Sequence, residues 1–399
     1  MSMPLTQPVL AWFARHARDL PWREPGTTPW SVLVSEIMLQ QTPVARVVPA
    51  HRGWLARWPT PAALAAEPAG EAIRQWGRLG YPRRALRLHE TATIVTARHG
   101  GIVPDDLDAL LALPGIGSYT AAAVASFAFG QRHAVLDTNV RRVLARLVAG
   151  PPAPRSTPSA AERRMAESLL PAEPAVAARW SVAVMELGAL VCTATSPRCT
   201  GCPVARHCAW LAAGRPEAEG RSRGRAQRYD GTDRQCRGRL LAVLRDGGGP
   251  VTQVDFDVVW ADRTQLARAL DGLVADGLVD PLPDGRYALP GAAQALALSL
   301  ACCGSVVPSC QLEQARTGTT APSTRERAGL GSVKPGPAGG RPGLQVGRVS
   351  RGRRRFRRRP WRRWCPPRCR PHGRGCRPAH GCRSPAPTRR APRRAWARR

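Results

Sequence analysis

LPGIGSYTAAAVASFAFGQRHAVLDTNV, residues 113–140, is the stretch on which the reading of the chain turns. Pro114-Gly115-Ile116-Gly117 is a tight turn, since glycine alone enters left-handed backbone freely and lets a chain come close to a partner with its N–H groups outward. A helix of small residues, Ser118 to Phe129, follows. The stretch ends on a lone acid, Asp137, beside Asn139. A helix, a tight turn and a second helix form a grip for phosphates, with an acid one helix away to act on whatever docks there. A helical hairpin closed by a glycine cap has the same letters.

The totals bound the partner. The chain has 399 residues, enough for two or three domains, and a net charge of +32. Residues 300–399 hold 26 of the 60 basic side chains and 2 acids, which places +24 in the tail and +8 in 1–299. A polyanionic partner follows, and the extreme charge belongs to the tail. No apolar run is long enough for a membrane span, and Arg15, His16, Arg18 and Asp19 break any signal-peptide core. A cytosolic (cytoplasmic) protein with no membrane partner is expected. Its 12 cysteines then point to metal binding rather than disulfides.

Working outward, residues 5–20 read as an amphipathic helix, with Leu10, Phe13, Ala17 and Leu20 on one stripe. The next helix, from an N-cap at Ser31 to Gln40, is apolar nearly all round and has Glu36 in its middle. A carboxyl there is expensive unless paired or protonated, and burial raises its pKa, which is how a general acid is tuned toward neutrality. A glutamate paired with a buried arginine has the same pattern. Thr42 reads as the N-cap of a helix beginning at Pro43. Further helices are expected at 43–57, 61–67, 70–78 and 82–98, then 106–112 capped by Asp105. Tyr81, after Gly77 and Gly80, is placed to stack beside a base or to pack half-buried. Asp137-Thr138 opens a helix running from 139 to 149, and 160–170 and 174–191 follow.

Cys192, Cys199, Cys202 and Cys208 then fall in a loop of 17 residues with C-x6-C-x2-C-x5-C spacing. A zinc ribbon has two C-x2-C knuckles and only one is present, so one compact loop with uneven gaps fits a cubane iron–sulfur cluster better. Residues 210–236 are polar and rich in arginine. Helices at 237–245 and 263–276 with a hairpin around Asp284-Gly285 suggest a small winged-helix-like module. Beyond it Gly, Pro, Ser and Arg dominate, so the tail is expected to be disordered and to stick to nucleic acid without specificity. Cys365, Cys369, Cys376 and Cys382 with His372 and His380 hint at a second metal site there.

In combination, VSEIMLQQT (34–42), LGYPRRALRLH (79–89), LPGIGSYTA (113–121), LDTNVRRVLAR (136–146) and the four-cysteine loop resemble the MutY-type adenine DNA glycosylases of the helix-hairpin-helix/Gly-Pro-Asp superfamily. The resemblance covers about 5–210. It implies an all-α, two-lobed helix-hairpin-helix fold: 1–24 with 131–210 as an iron–sulfur lobe, 25–130 as a six-helix barrel, 211–236 as a linker, 237–295 as the winged-helix-like module, and 296–399 as the tail. It implies a monomer that binds double-stranded DNA carrying A·8-oxoguanine or A·G mispairs and flips the adenine out. It implies that Glu36 protonates the adenine and later helps activate water, and that Asp137 stabilises the sugar cation. Tyr119 and Asn139 would orient them. Gln41 and Tyr81 would enter the base stack beside Thr42, Gly115 and Gly117 would grip phosphate, and the four cysteines would hold a [4Fe–4S] cluster.

Tyr119 separates relatives. In the endonuclease III group the hairpin reads G-x-K-T-A, and the lysine forms a Schiff base with the sugar. Lys334, in the tail, is the chain's one lysine, so hydrolysis by water is favoured over covalent lyase chemistry. Asn139, where that group has histidine, points the same way. Residues 237–293 are too short for the Nudix-like domain that reads 8-oxoguanine in many members, which loosens the expected dependence on that base. Three alternatives stay open: a glycosylase for mispaired thymine or uracil, an endonuclease III-like repair enzyme, and a DNA-binding protein without activity.

Overall fold

Thr28 starts the helix on which the body is built. Its hydroxyl accepts a hydrogen bond from Ser31 N at 3.2 Å, and Pro29 occupies the first helical position of α2 (Pro29–Leu39). Pro29 fits there because its missing N–H would be an orphan donor anyway. The expected N-cap at Ser31 is therefore corrected to Thr28; Ser31 lies buried inside the helix, its hydroxyl 3.2 Å from His51 Nε2. A computed structural model of the chain describes residues 3–149, 157–216 and 229–292. The tail (296–399) with its candidate second metal site, Lys334, and the arginines at 221–228 lie outside the described residues.

Before α2 come α1 (Met3–His16) and a 3-10 turn at Pro21–Arg23. After it come α3 (Val44–Arg57), α4 (Pro61–Ala65), α5 (Ala69–Trp76), α6 (Arg83–Arg98), α7 (Leu107–Leu111) and α8 (Ser118–Phe129). Residues 25–130 thus hold seven helical segments, two of only five residues. Two further caps are corrected. Pro43, not Thr42, is the N-cap of α3, because the Thr42 hydroxyl is engaged elsewhere, by Arg84. Asp106, not Asp105, caps α7, accepting from Ala109 N at 2.8 Å. The chain continues through α9 (Thr138–Leu144), a π turn at Ala145–Ala149, α10 (Ala160–Leu169), α11 (Pro174–Leu190) and the one-turn α12 (Ala209–Ala212).

Two apolar cores result. One gathers α2 to α8 around Leu33, Ile37 and three tryptophans, Trp54, Trp58 and Trp76, whose rings meet edge to face. The other gathers α1, α9, α10 and α11 around Val9, Trp12, Trp180 and Leu187.

The segment 233–292 adds α13 (Asp233–Asp246), α14 (Gln253–Val259), α15 (Arg263–Ala275) and an antiparallel pair, β1 (Asp280–Pro281) with β2 (Tyr287–Ala288). Helix α14 escapes a sequence reading because VTQVDFDVV alternates like a strand; a capping box between Thr252 and Asp255 makes it helical. The apolar faces of α13 and α15 join the first core. Gly70 lets this segment approach, since a Cβ there would sit 2.7 Å from that of Leu289. Arg74 caps the end of α13, donating to Gly247 O at 3.0 Å, and Arg245 returns a bond to Gly77 O at 2.5 Å.

The two cores are tied near the N-terminus by a buried ion cluster. Glu186 of α11 is fully buried and accepts from Arg18 Nε at 2.7 Å and from Arg23 Nη2 at 3.1 Å. Burial pushes its carboxyl up, but the two arginines outweigh burial and hold it at about 2. A depressed carboxylate lends stability above the unfolded carboxylate range and loses it as pH falls toward 2. Glu186→Ala would leave two half-buried arginines without their carboxylate, so urea unfolding at neutral pH should show a loss of about 1–3 kcal/mol. The wild type should weaken between about pH 4.5 and 2, and the variant should lack that component.

Candidate active site

Helix α2 carries Glu36 into the first core, 5% exposed among apolar neighbours. One carboxyl oxygen, Oε2, is buried without a partner. Burial raises its pKa to about 7; a hydrogen bond from the Tyr119 hydroxyl opposes the rise, the charge of Asp137 adds to it, and Arg23 lowers it. Tyr119 stands on α8, two residues after Gly117, so the hairpin turn aims this phenol at the acid. Its own pKa is driven up, by burial first and then by both carboxylates.

Asp137 stands at the start of α9, where its charge reaches both Glu36 and Tyr119. It is the N-cap of that helix: Oδ1 accepts from Val140 N at 2.6 Å, and Oδ2 accepts from Asn139 Nδ2 at 2.7 Å. Burial raises its pKa, while these bonds and the nearby Arg142 pull the other way. The two acids are thus treated differently. Glu36 has one phenol and an open oxygen, whereas both oxygens of Asp137 are held by donors that favour the ionised form.

A sequence reading misses what orients Asn139. Arg142, one turn on, donates to Asn139 Oδ1 at 2.6 Å, to Gly188 O at 2.8 Å and to Cys192 O at 2.8 Å. Gly188 must be glycine, because a Cβ would lie 2.8 Å from that of Asn139. Two adjacent arginines in TNVRRVL read as a solvated face; Arg141 and Arg142 instead point inward, Arg141 to Glu162 at 2.8 Å. The chain Asp137–Asn139–Arg142–Cys192 joins the pocket to the first cysteine of the loop.

The four cysteines line one pocket with Val191, Pro197, Ala205, Trp210 and Leu211, and none forms a disulfide. Burial, with the three neighbouring sulfurs, drives the Cys202 thiol up to about 11 against a bond from Val204 N–H. Four thiolates cannot share this pocket without a positive group among them. Arg146 braces it from the π turn, donating to Cys192 Sγ at 3.2 Å and to Thr193 O at 2.7 Å, with its guanidinium 4.4 Å from the Trp210 ring. Among the described residues no three His, Cys, Asp or Glu side chains are arranged to hold a single metal ion.

The hairpin itself is built from two unlike glycines. Gly115 has φ +76°, and a Cβ there would lie 2.9 Å from Arg87 Cδ, so the fold demands glycine. Gly117 is extended, caps α8, and faces open space. Its lack of a side chain serves close approach from outside rather than internal packing. Thr91 pins the turn by donating to Pro114 O at 3.0 Å. On the far end of α2, Gln41 (φ +55°) and Tyr81 (φ +49°) are exposed and left-handed, and each such non-glycine residue costs about 1–2 kcal/mol. Thr42 is buried beneath them.

Residues 34–171 match the family described as "HhH-GPD superfamily base excision DNA repair protein". The chain is 54% identical over 284 residues to the adenine DNA glycosylase of Mycobacterium tuberculosis (strain CDC 1551 / Oshkosh), spanning 71% of this chain and 92% of that protein. To the adenine DNA glycosylase of Mycolicibacterium smegmatis it is 54% identical over 285 residues, 71% and 95% of the respective lengths. To that of Homo sapiens it is 42% identical over 209 residues, 50% of this chain and 38% of the human one. The chain belongs to the adenine DNA glycosylases of the HhH-GPD superfamily of base excision DNA repair proteins.

Proposed function

We propose that this chain hydrolyses the N-glycosidic bond of adenine mispaired with 8-oxoguanine or guanine in duplex DNA, leaving the strand uncut. The observation that carries this reading is Glu36, a buried acid poised near neutrality with one oxygen open, facing Asp137. The flipped adenine takes a proton from Glu36 Oε2 on its ring. The bond from C1′ to the base then breaks, its electron pair leaving with the base. Asp137, held ionised by Val140 N–H and Asn139, stabilises the cationic sugar, as one carboxylate does in glycoside cleavage. Water adds at C1′ and gives its proton back to Glu36. No lysine lies among the described residues, which favours water over a Schiff base.

The flanking residues take supporting roles in this reading. Gln41 and Tyr81 enter the stack to hold the adenine out, and the 115–117 turn with Gly117 N–H binds backbone phosphate. Cys192, Cys199, Cys202 and Cys208 hold a [4Fe–4S] cluster; when bound, it supplies a cross-link between the end of α11 and α12. We assign 1–24 with 131–210 to one lobe and 25–130 to the other, with DNA between them, and residues 211–236 to a linker. The winged-helix order of 237–295 serves as a brace rather than a second DNA reader. Three of its surface arginines are paired with nearby acids, Arg263 with Asp257, Arg268 with Asp233 and Arg286 with Asp284. Among the described residues no helix is long and apolar enough to cross a membrane.

Single-turnover assays on A·8-oxoguanine, A·G, T·G and U·G duplexes test the substrate. Adenine release from the first two is expected. Thymine or uracil release with adenine retained would refute the reading. Glu36→Gln should abolish release, by at least 10³-fold, and keep DNA binding within a few fold, measured by gel shift. Because the acid acts protonated, the rate should fall tenfold per pH unit well above 7. In Tyr119→Phe the bond that favours ionised Glu36 is lost, so this alkaline limb should move to higher pH; a limb that stays or moves down would contradict the role given to Tyr119.

A further inference from the structure

Arg84, on α6, is unusual for an arginine: it is 7% exposed and has no acidic partner. Its Nη1 donates to Ile37 O at 3.0 Å, Met38 O at 3.1 Å and Gln40 O at 2.5 Å. Its Nη2 donates to Thr42 Oγ1 at 2.9 Å and Gly80 O at 3.0 Å. The guanidinium also lies 5.2 Å from the Trp76 ring and 5.4 Å from the Tyr81 ring. Burial lowers its pKa to about 10, which leaves it charged at neutrality.

Two of these bonds fall in telling places. Gln40 O belongs to the peptide plane leading into Gln41, and Gly80 O to the plane leading into Tyr81. The orientation of a peptide plane sets φ of the residue that follows it. Gln41 and Tyr81 are two of only three non-glycine residues with positive φ among the described residues. Gly80 O also accepts from Trp76 Nε1 at 2.9 Å, but only the Arg84 fork reaches both planes at once, and a planar guanidinium does this where a lysine ammonium, a single point, cannot.

We propose that Arg84 is a positioning residue that couples Gln41 to Tyr81, setting the two side chains at the spacing needed to replace a base lifted from the stack. This rests on the reading that Gln41 and Tyr81 enter the duplex. The strain is then part of the device, since both side chains are presented outward before DNA arrives. Without the fork each residue relaxes to an ordinary backbone conformation, and ordering them is left to the binding event.

The test uses the full chain, with 2-aminopurine replacing adenine opposite 8-oxoguanine, so that fluorescence reports the flipped fraction. Arg84→Lys should lower that fraction at least fivefold, and Tyr81→Ala should do the same. The double variant should fall no more than twofold below the weaker single, because both remove one function. Thr42→Val, which removes one acceptor of the fork, should act in the same direction more weakly and also without additivity, and it serves if Arg84→Lys does not fold. If Tyr81→Ala leaves the flipped fraction unchanged, the wedge reading itself fails. If Tyr81→Ala lowers it while Arg84→Lys does not, or the two effects multiply, the proposal for Arg84 fails alone. A role confined to stability would lower the melting temperature of Arg84→Lys and leave the flipped fraction per folded molecule at the wild-type level, which also overturns it.

Discussion

A carboxyl buried in an apolar helix with no cation bonded to it is the constraint around which this body is arranged. Helix α2 is surrounded by the first core on nearly all sides, and Glu36 sits in its middle. A cation on Glu36 would have settled its charge, as Arg18 and Arg23 settle that of Glu186. Here the bonded neighbour is the Tyr119 phenol, which donates without neutralising. The contrast between two buried glutamates in one chain is instructive. Both lose solvation; one is driven down to about 2 by arginines and becomes a tie, the other is left near 7, where the proposed general acid needs it.

Asp137 shows the complementary device. It is a helix cap, a role common to aspartates, and the cap supplies a backbone N–H that favours its charged form. Asn139 holds the second oxygen, and Arg142 holds Asn139. Since Arg142 also bonds Cys192 O, the geometry around Asp137 depends on the conformation of the cysteine loop. Gly188 makes this possible by letting α11 and the start of α9 touch. Chemistry and loop are therefore parts of one hydrogen-bonded chain rather than neighbouring modules.

The helical class, the hairpin and the burial of Glu36 were legible because each leaves a local mark. An acid in an all-round apolar helix, glycines at a turn and four closely spaced cysteines all violate the patterns around them. The arginines that do the positioning leave no such mark. Arg84, Arg142 and Arg146 sit in runs such as YPRRALR and NVRRVLAR, where a solvent-facing arginine and an inward one look alike. Their meaning comes from carbonyls far off in the chain, at Gln40, Cys192 and Thr193. Cap positions shifted by three residues at α2 and by one at α3 for a related reason: Pro29 and Pro43 fix where their helices begin, and the hydroxyl at Thr42 is already engaged. Helix α14 was hidden by alternation that imitates a strand, and its cap box overrode that pattern.

The central claim is that Glu36 is protonated near neutral pH while Asp137 is not. Carbon-detected NMR of the full chain labelled at its side-chain carboxyl carbons would read both, with Glu36→Gln and Asp137→Asn assigning the signals. Glu36 should titrate at about 7, and Asp137, raised by burial but held by Val140 N–H and Asn139, below it. Titration of Glu36 at the ordinary carboxylate value, or of Asp137 above Glu36, would contradict the division of roles between the two acids.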